Sequence, residues 1–331
     1  MTPRTDLMDR FQAFAGWGDA DRRLLAGDAS FRKYYRLQRA GERAVLMDAP
    51  APQEDVRPFI AIAHHLASVG LSAPRILAED VAAGFLLLDD LGDDTYTRLL
   101  AGGADEAALY ALAVDVLAEL HRHPAPIEAP PYDDQRLLTE AGLLPDWFLP
   151  AVGEAVSGDA RAAWDDAWRA LLPVARAVPE VLVLRDYHVD NLMIVPGREG
   201  LAACGLLDFQ DAVRGPLTYD AMSLMEDARR DIDPALVAAM KDRAFAAVTI
   251  GGGVSREDFD ASWAVLAAQR HAKVIGIFTR LWKRDGKPIY LQHIPRVWRL
   301  LEAACAHPAV APVANWLDTH VPADVRRRDP R

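Results

Sequence analysis

Asp186 and Asn191 stand five residues apart in "LRDYHVDNLMIV" (184–195), a polar turn between two apolar runs. Asp208 follows about twenty residues later in "LLDFQD". If the strands flanking residues 186–207 pair or lie side by side, Asn191 and Asp208 face one cleft and offer it an amide oxygen and a carboxylate. That donor set suits Mg²⁺, a hard cation that keeps several waters and is held by one or two carboxylates plus substrate phosphates. Asp186 is then left to take the proton of an attacking hydroxyl. The competing structural reading makes Asp186 and Asn191 turn formers and Asp208 a helix cap. It needs three coincidences in the right order.

The elements that must carry these residues follow from periodicity. "VLVL" (181–184) and "GLLDF" (205–209) are short apolar runs that read as strands, each delivering one of the polar stretches. Ahead of them, residues 5–17 repeat apolar positions at helical spacing. "SFRKYYRLQR" alternates, "AGER" turns, and "AVLMDA" returns to make a hairpin ended by Pro50 and Pro52. "EDVRPFIAIAHHLASVG" predicts a helix with Phe59, Ile62, Ala63 and Leu66 on one face and Gly70 past its end. "GFLLLDDLG" predicts a short buried strand. Beyond it the pattern is helical, with a stripe of Leu109, Leu112, Val116, Leu117 and Leu120 and further helices at 161–178 and 255–282. The expected fold class is α+β, with a β-rich N-terminal lobe (1–91), a mainly helical C-terminal lobe (92–331) and a hinge near 89–93.

Composition narrows the chemistry. The 331 residues are 51% apolar and 26% charged, with a formal net charge of −11. An extended nucleic-acid surface is excluded, because neutralising phosphates needs clustered Lys and Arg. The basic "VRRRDPR" end reads as a solvated tail. Cys204 and Cys305, the only cysteines, imply no disulfide framework and suit a reducing compartment. No stretch approaches the roughly 18 apolar residues of a membrane helix, and the first residues lack a signal-like apolar core. The expectation is a cytoplasmic protein with no membrane association, no nucleic acid and no obligate protein partner. His64, His65, His121 and His123 have no carboxylate or Cys at metal spacing and read as structural.

The D-x₄-N of 186–191 followed by the D-F of 208–209 is the catalytic-loop and metal-Asp arrangement of kinases. The chain resembles the aminoglycoside phosphotransferase (choline/aminoglycoside kinase-like) family, which shares the protein-kinase fold. That family's H-G-D-x-H-x-x-N stands here as residues 184–191, and "GPLTYDAMSL" (215–224) matches its G-P-x-x-Y-D-x-x-x-L segment. The resemblance implies a bilobal protein-kinase-like fold that uses ATP and Mg²⁺. It makes Asp186 the catalytic base, Asn191 and Asp208 the metal ligands, and Asp220 the support of the catalytic loop. "GDASFRKYYRL", "VLMDAP", "EDVRPF", "LRDYHVDNLM" and "GIFTRL" resemble one branch more narrowly. Its members are bacterial kinases of cell-wall (peptidoglycan) recycling that phosphorylate N-acetylmuramate and N-acetylglucosamine on the anomeric hydroxyl. A small amino sugar is the partner this implies.

Two positions depart from the family pattern. Leu184 replaces the usual His, and Met47 stands where the family's nucleotide-binding Lys is expected. Arg32, Lys33 and Arg43 are candidates to supply the missing positive charge. Gly27 and Ser30 allow main-chain N–H groups to approach phosphate oxygens, and main-chain groups of Asp89, Asp90 and Leu91 suit an adenine edge. His188 is a candidate substrate contact and reads otherwise as ordering the catalytic loop by hydrogen bonds. Arg185 is a candidate for the γ-phosphate or a lactyl carboxylate, Asp190 for sugar hydroxyls, and Arg270 and His271 for substrate; an ion-paired or solvated state is the alternative for each. Alternative functions are a kinase of an aminoglycoside, choline or similar amine, a nucleotide-binding pseudokinase, and a metal-dependent hydrolase.

Overall fold

The computed structural model describes residues 4–27, 31–249 and 253–330. The chain divides into two compact units, Met1–Ala129 with Val189–Ala212, and Pro130–His188 with Val213–Arg331.

The first unit is built on an antiparallel sheet of β1 (Asp21–Gly27), β2 (Lys33–Arg39), β3 (Glu42–Asp48), β4 (Ile76–Asp80) and β5 (Phe85–Asp89), in the order β1-β2-β3-β5-β4. The alternation of "KYYRLQR" and "ERAVLMD" sorts side chains between two faces. Leu37, Ala44, Leu46, Phe85 and Leu87 bury one face against Met8 and Phe11 of helix α1 (Arg4–Phe14) and against Trp17. The expected turn between β2 and β3 is the two-residue loop Ala40–Gly41, with φ of 41° and 85°. Positive φ at both positions matches the right-handed twist of the strands, and glycine takes the more positive value without strain. Helix α2 (Arg57–Ser68) buries the predicted Phe59, Ile62, Ala63 and Leu66. Two further helices, α3 (Tyr96–Ala101) and α4 (Glu106–Leu120), belong to this unit as well.

The second unit is mainly helical. Strand β6 (Glu180–Val183) enters it, while β7 (Leu192–Ile194) and β8 (Cys204–Leu206) return to the first unit as a small antiparallel pair. Strand β9 (Val213–Pro216) pairs with β6 from Glu180↔Pro216 to Val183↔Val213. The helices are α5 (Asp134–Ala141), the short α6 (Leu149–Ala151), α7 (Gly158–Ala175), α8 (Thr218–Met225), α9 (Pro234–Thr249), α10 (Arg256–Asp285), α11 (Ile294–Cys305), α12 (Ala311–His320) and α13 (Ala323–Arg326). The 30-residue α10 is the central one, buried along Ser262–Gly276. It starts at Ser255, whose side chain accepts a hydrogen bond from the Asp258 N–H.

Two expectations change here. The compact units part at 129/130 rather than near 91, because α3 and α4 pack with β7 and β8 instead of with the helices that follow. Among the described residues beyond 92 there are four short strands, not two. Strand β7 is three residues long and β9 contains Gly215 and Pro216, so neither shows a period.

Candidate active site

In the first unit the β7–β8 pair brings two of the predicted residues together. Asn191 precedes β7, Asp208 lies two residues past β8, and the Leu207 N–H donates to the Asn191 carbonyl at 2.9 Å. Both side chains line a cavity of about 340 Å³. Its apolar walls are Val45 and Leu88 from the sheet, Met193 from the small pair and Leu207 just past it, and Asp89–Gly92 form its rim. Asp208 has a left-handed backbone (φ 57°), which a short polar side chain tolerates better than most. Its Oδ1 accepts from Gln210 Nε2 at 2.8 Å and lies 3.6 Å from Arg32 Nη2. A carboxylate and an amide oxygen lining one cavity fit the donor set of Mg²⁺.

The other predicted positions of this unit separate. Arg32 is 9% exposed, with Nε 3.8 Å from Glu54. Burial pulls its pKa down, but Tyr34, Asp208 and Glu54 more than compensate and raise it, so the charge is secure. Lys33 and Arg43 are exposed, and Arg43 lines a different depression with Arg36 and Asp93. Gly27 ends β1 opposite Lys33. Ser30 lies outside the described residues. The Asp89 carboxylate is 2.9 Å from Arg75 Nε, and the Asp89 N–H donates to the Arg75 carbonyl. Asp90 is held by Arg36 at 2.6 Å. These side chains therefore fix the rim, while Leu91 joins Met193 and Val195 in a small apolar cluster. Asp190 accepts a hydrogen bond from the Thr97 hydroxyl.

In the second unit β6 delivers Asp186 into a buried polar cluster. The preceding turn is tight: the Asp186 N–H donates to the Leu184 carbonyl at 2.9 Å, and Arg185 takes φ 70° where the family pattern has glycine. Asp220, fully buried on α8, holds this turn by accepting from the N–H groups of Leu184 (2.6 Å) and Arg185 (2.9 Å). Burial pushes its carboxyl up to about 7 against the pull of those two donors.

Three cations surround the Asp186 carboxylate. Burial alone would raise its pKa, but Lys273, Arg270 and Arg185 together hold it below the ordinary value. Lys273 and Arg270 sit on α10, each 6% exposed. The sequence left open whether the Gln269–Lys273 face of that helix was a solvated surface; it is buried throughout. Glu140 of α5 ties the cluster together. It meets Arg185 at 2.5 Å and Lys273 at 3.2 Å and accepts from the Tyr132 hydroxyl. Burial pushes Glu140 up, and Lys273 and Arg185 outweigh it and keep the group ionised. Arg270 reaches the Arg185 carbonyl at 3.4 Å and the Tyr219 hydroxyl at 3.5 Å. His188 is 6% exposed, and burial, with Arg229 adding to it, brings its pKa down to about 4. His271 is taken up by Glu226 at 2.7 Å.

The "Phosphotransferase enzyme family" matches residues 21–258, which span β1 to the start of α10. The chain belongs to this family. Curated relatives named N-acetylmuramate/N-acetylglucosamine kinase include one from Caulobacter vibrioides at 37% identity, covering 96% of each chain. Another, from Pseudomonas aeruginosa, is 42% identical and covers 88% of this chain and 86% of its own. Among solved structures, the choline kinase LicA from Streptococcus pneumoniae superposes with a TM-score of 0.65 at 11% identity, covering 92% of this chain and 99% of its own. The GDP complex of aminoglycoside 2'-phosphotransferase-IIIa gives 0.62 at 14% identity, covering 92% and 99%. The fold of this phosphotransferase is thus protein-kinase-like, with an antiparallel sheet in its N-terminal region and helices in most of the remainder.

Reading the sequence missed Glu140, Tyr132 and Tyr219. The family pattern has no slot for Glu140, and the only signal for it is an acid set among apolar residues in "LLTEAGLL". Lys273 carried a stronger signal, a cation three residues from Arg270 and next to the apolar run Val274–Phe278. Among the described residues no helix is long and apolar enough to cross a membrane.

Proposed function

We propose that this phosphotransferase moves the γ-phosphoryl group of ATP to the anomeric hydroxyl of N-acetylmuramate and N-acetylglucosamine, acting in the cytoplasm as a kinase of peptidoglycan recycling. The observation that carries this reading is a base kept ionised in a buried cationic cluster, five residues before a paired amide and carboxylate. Four curated relatives at 36–42% identity that bear this activity in their names support the acceptor.

The cavity of the first unit suits a nucleotide. Val45, Leu88, Met193 and Leu207 offer faces to a base, with its edge toward the main chain of Asp90 and Leu91. Asn191 and Asp208 would hold Mg²⁺, which neutralises charge on the β- and γ-phosphates when bound. Asp186 orients the acceptor hydroxyl and takes its proton as the oxygen bonds to the γ-phosphorus. The bond from that phosphorus to the bridging oxygen breaks and ADP leaves. An anomeric hydroxyl is more acidic than an ordinary alcohol, so a carboxylate of low pKa is an adequate base. His188, Asp190 and His271 have protein partners and serve to shape the loop and its surroundings.

The surroundings of Asp186 also discriminate between acceptors. Lys273, Arg270 and Arg185 disfavour a cationic amine beside the base and favour a neutral or anionic sugar. We expect ADP release, and phosphate on C1, with N-acetylmuramate and N-acetylglucosamine but not with choline or kanamycin. Asp186→Asn should fold normally and lose roughly 10²- to 10⁴-fold in kcat. Phosphorylation of choline or kanamycin instead, or wild-type turnover by Asp186→Asn, would overturn the proposal.

A further inference from the structure

Kinases of this fold carry a lysine on the third strand, where its ammonium meets the nucleotide phosphates and an acidic partner. Here that place is filled by Met47 on β3, a side chain only 1% exposed. Met47 pairs with Tyr34 across the β2–β3 ladder, and Tyr34 and Val45 both line the nucleotide cavity. Side chains two apart on a strand share a face, so Met47 belongs to the cavity side of the sheet and brings no charge to it.

Arg32 leaves the backbone two residues before Tyr34 and one before Lys33, which is opposite Asp48. Its guanidinium lies 3.6 Å from Asp208, at the oxygen-lined end of the cavity, and 3.8 Å from Glu54. Glu54 also accepts from the Phe31 N–H at 3.1 Å, so one carboxylate steadies both the guanidinium and the chain that carries it. Lys33 and Arg43 of this hairpin are exposed, and Arg36 is paired with Asp90 and Asp93; none of these cations, nor Arg32 itself, lines the cavity, but Arg32 is the one that meets Asp208, which does.

We propose that Arg32 is the phosphate-binding cation of this enzyme: the charge has moved from β3 to the residue preceding β2, and Glu54 takes the part of the acidic partner. A guanidinium presents two parallel donors to a phosphate where an ammonium presents one point charge. Its rest position against Asp208 keeps a counter-ion on that carboxylate until the nucleotide arrives. The inference rests on the nucleotide reading of the cavity.

Equilibrium binding of ATP, ADP and adenosine by calorimetry, with and without Mg²⁺, tests it independently of turnover. Arg32→Ala should weaken ATP and ADP roughly 10- to 100-fold, the size of a lost charge-assisted hydrogen bond, and leave adenosine unchanged. Moving the charge back, in Arg32→Ala with Met47→Lys, should recover a substantial part of ATP affinity. Adenosine binding and thermal unfolding show that each variant is folded. Wild-type ATP affinity in Arg32→Ala, or the loss appearing in Lys33→Ala or Arg43→Ala instead, overturns the inference. If the wild-type chain binds neither ATP nor adenosine, the nucleotide reading itself fails and Arg32 is not the cause.

Discussion

Asp186, the proposed base, owes its charge to what stands around it. A buried carboxyl left alone would be protonated near neutral pH; here three cations reverse that, and Glu140 keeps two of them from being uncompensated. Arg185 shows the cost of the arrangement. It occupies a left-handed slot that a glycine would fill without strain, at an expense on the order of 1 kcal/mol. The ion pair with Glu140 and the stacking of its guanidinium 5.6 Å from the Tyr132 ring centre offset this. His188 behaves in the opposite sense. Its folded pKa is about 4 against an ordinary 6.5. Between those values the unfolded chain binds the proton and the folded chain does not, so stability falls as pH drops from 6.5 toward 4 and levels off below. Urea midpoints at pH 7 and pH 5 should therefore differ less in His188→Gln than in the wild type. An equal fall in both would remove His188 from the account.

Among the elements, α10 carries the clearest steric constraint. A Cβ added at Gly276 would lie 2.3 Å from the Leu143 carbonyl carbon and oxygen, and main chain cannot yield as a side-chain tip can. Gly276→Ala gains about 1 kcal/mol of helix propensity. It forces apart a packed crossing at a cost that exceeds this gain, so we expect a net destabilisation of about 1–3 kcal/mol in urea unfolding. A stabilised variant would contradict the close approach. Elements with a sustained period were legible in the sequence: the β2–β3 hairpin, α2 with its buried face, and α10 from its capping Ser255. Strand β1 was not, since "DRRLLAG" mixes charge and apolar residues without alternation. Where a motif fixes spacing, the candidate site residues at 186, 191, 208 and 220 could be named from the sequence, and their roles stay proposals. The site was not legible at Glu140 or Tyr132, whose roles depend on contacts that span 45 and 87 positions of sequence, to Arg185 and Tyr219.

For the whole molecule, the chain assigns its chemistry to two compact units. Asp186, the proposed base, lies in one, and Asn191, Asp208 and the cavity proposed for the nucleotide lie in the other. ATP with Mg²⁺, present at about 100 times its Kd, should stabilise the fold that binds it by about 2.7 kcal/mol. Thermal unfolding should move up by several degrees, and Asp208→Ala should abolish the part that depends on Mg²⁺. No shift in the wild type would speak against nucleotide binding altogether.

The hydrogen bond from the Leu207 N–H to the Asn191 carbonyl has a consequence for how this site can change over generations. Both atoms are main chain, so no replacement at 191 removes the bond, and at 207 only proline does. The separation of positions 191 and 208, the proposed metal ligands, is therefore tied to the backbone near 191 and 207 rather than to any particular side chain. Under the proposal made above, a charge missing from β3 can be answered by an arginine just ahead of β2 without disturbing this separation.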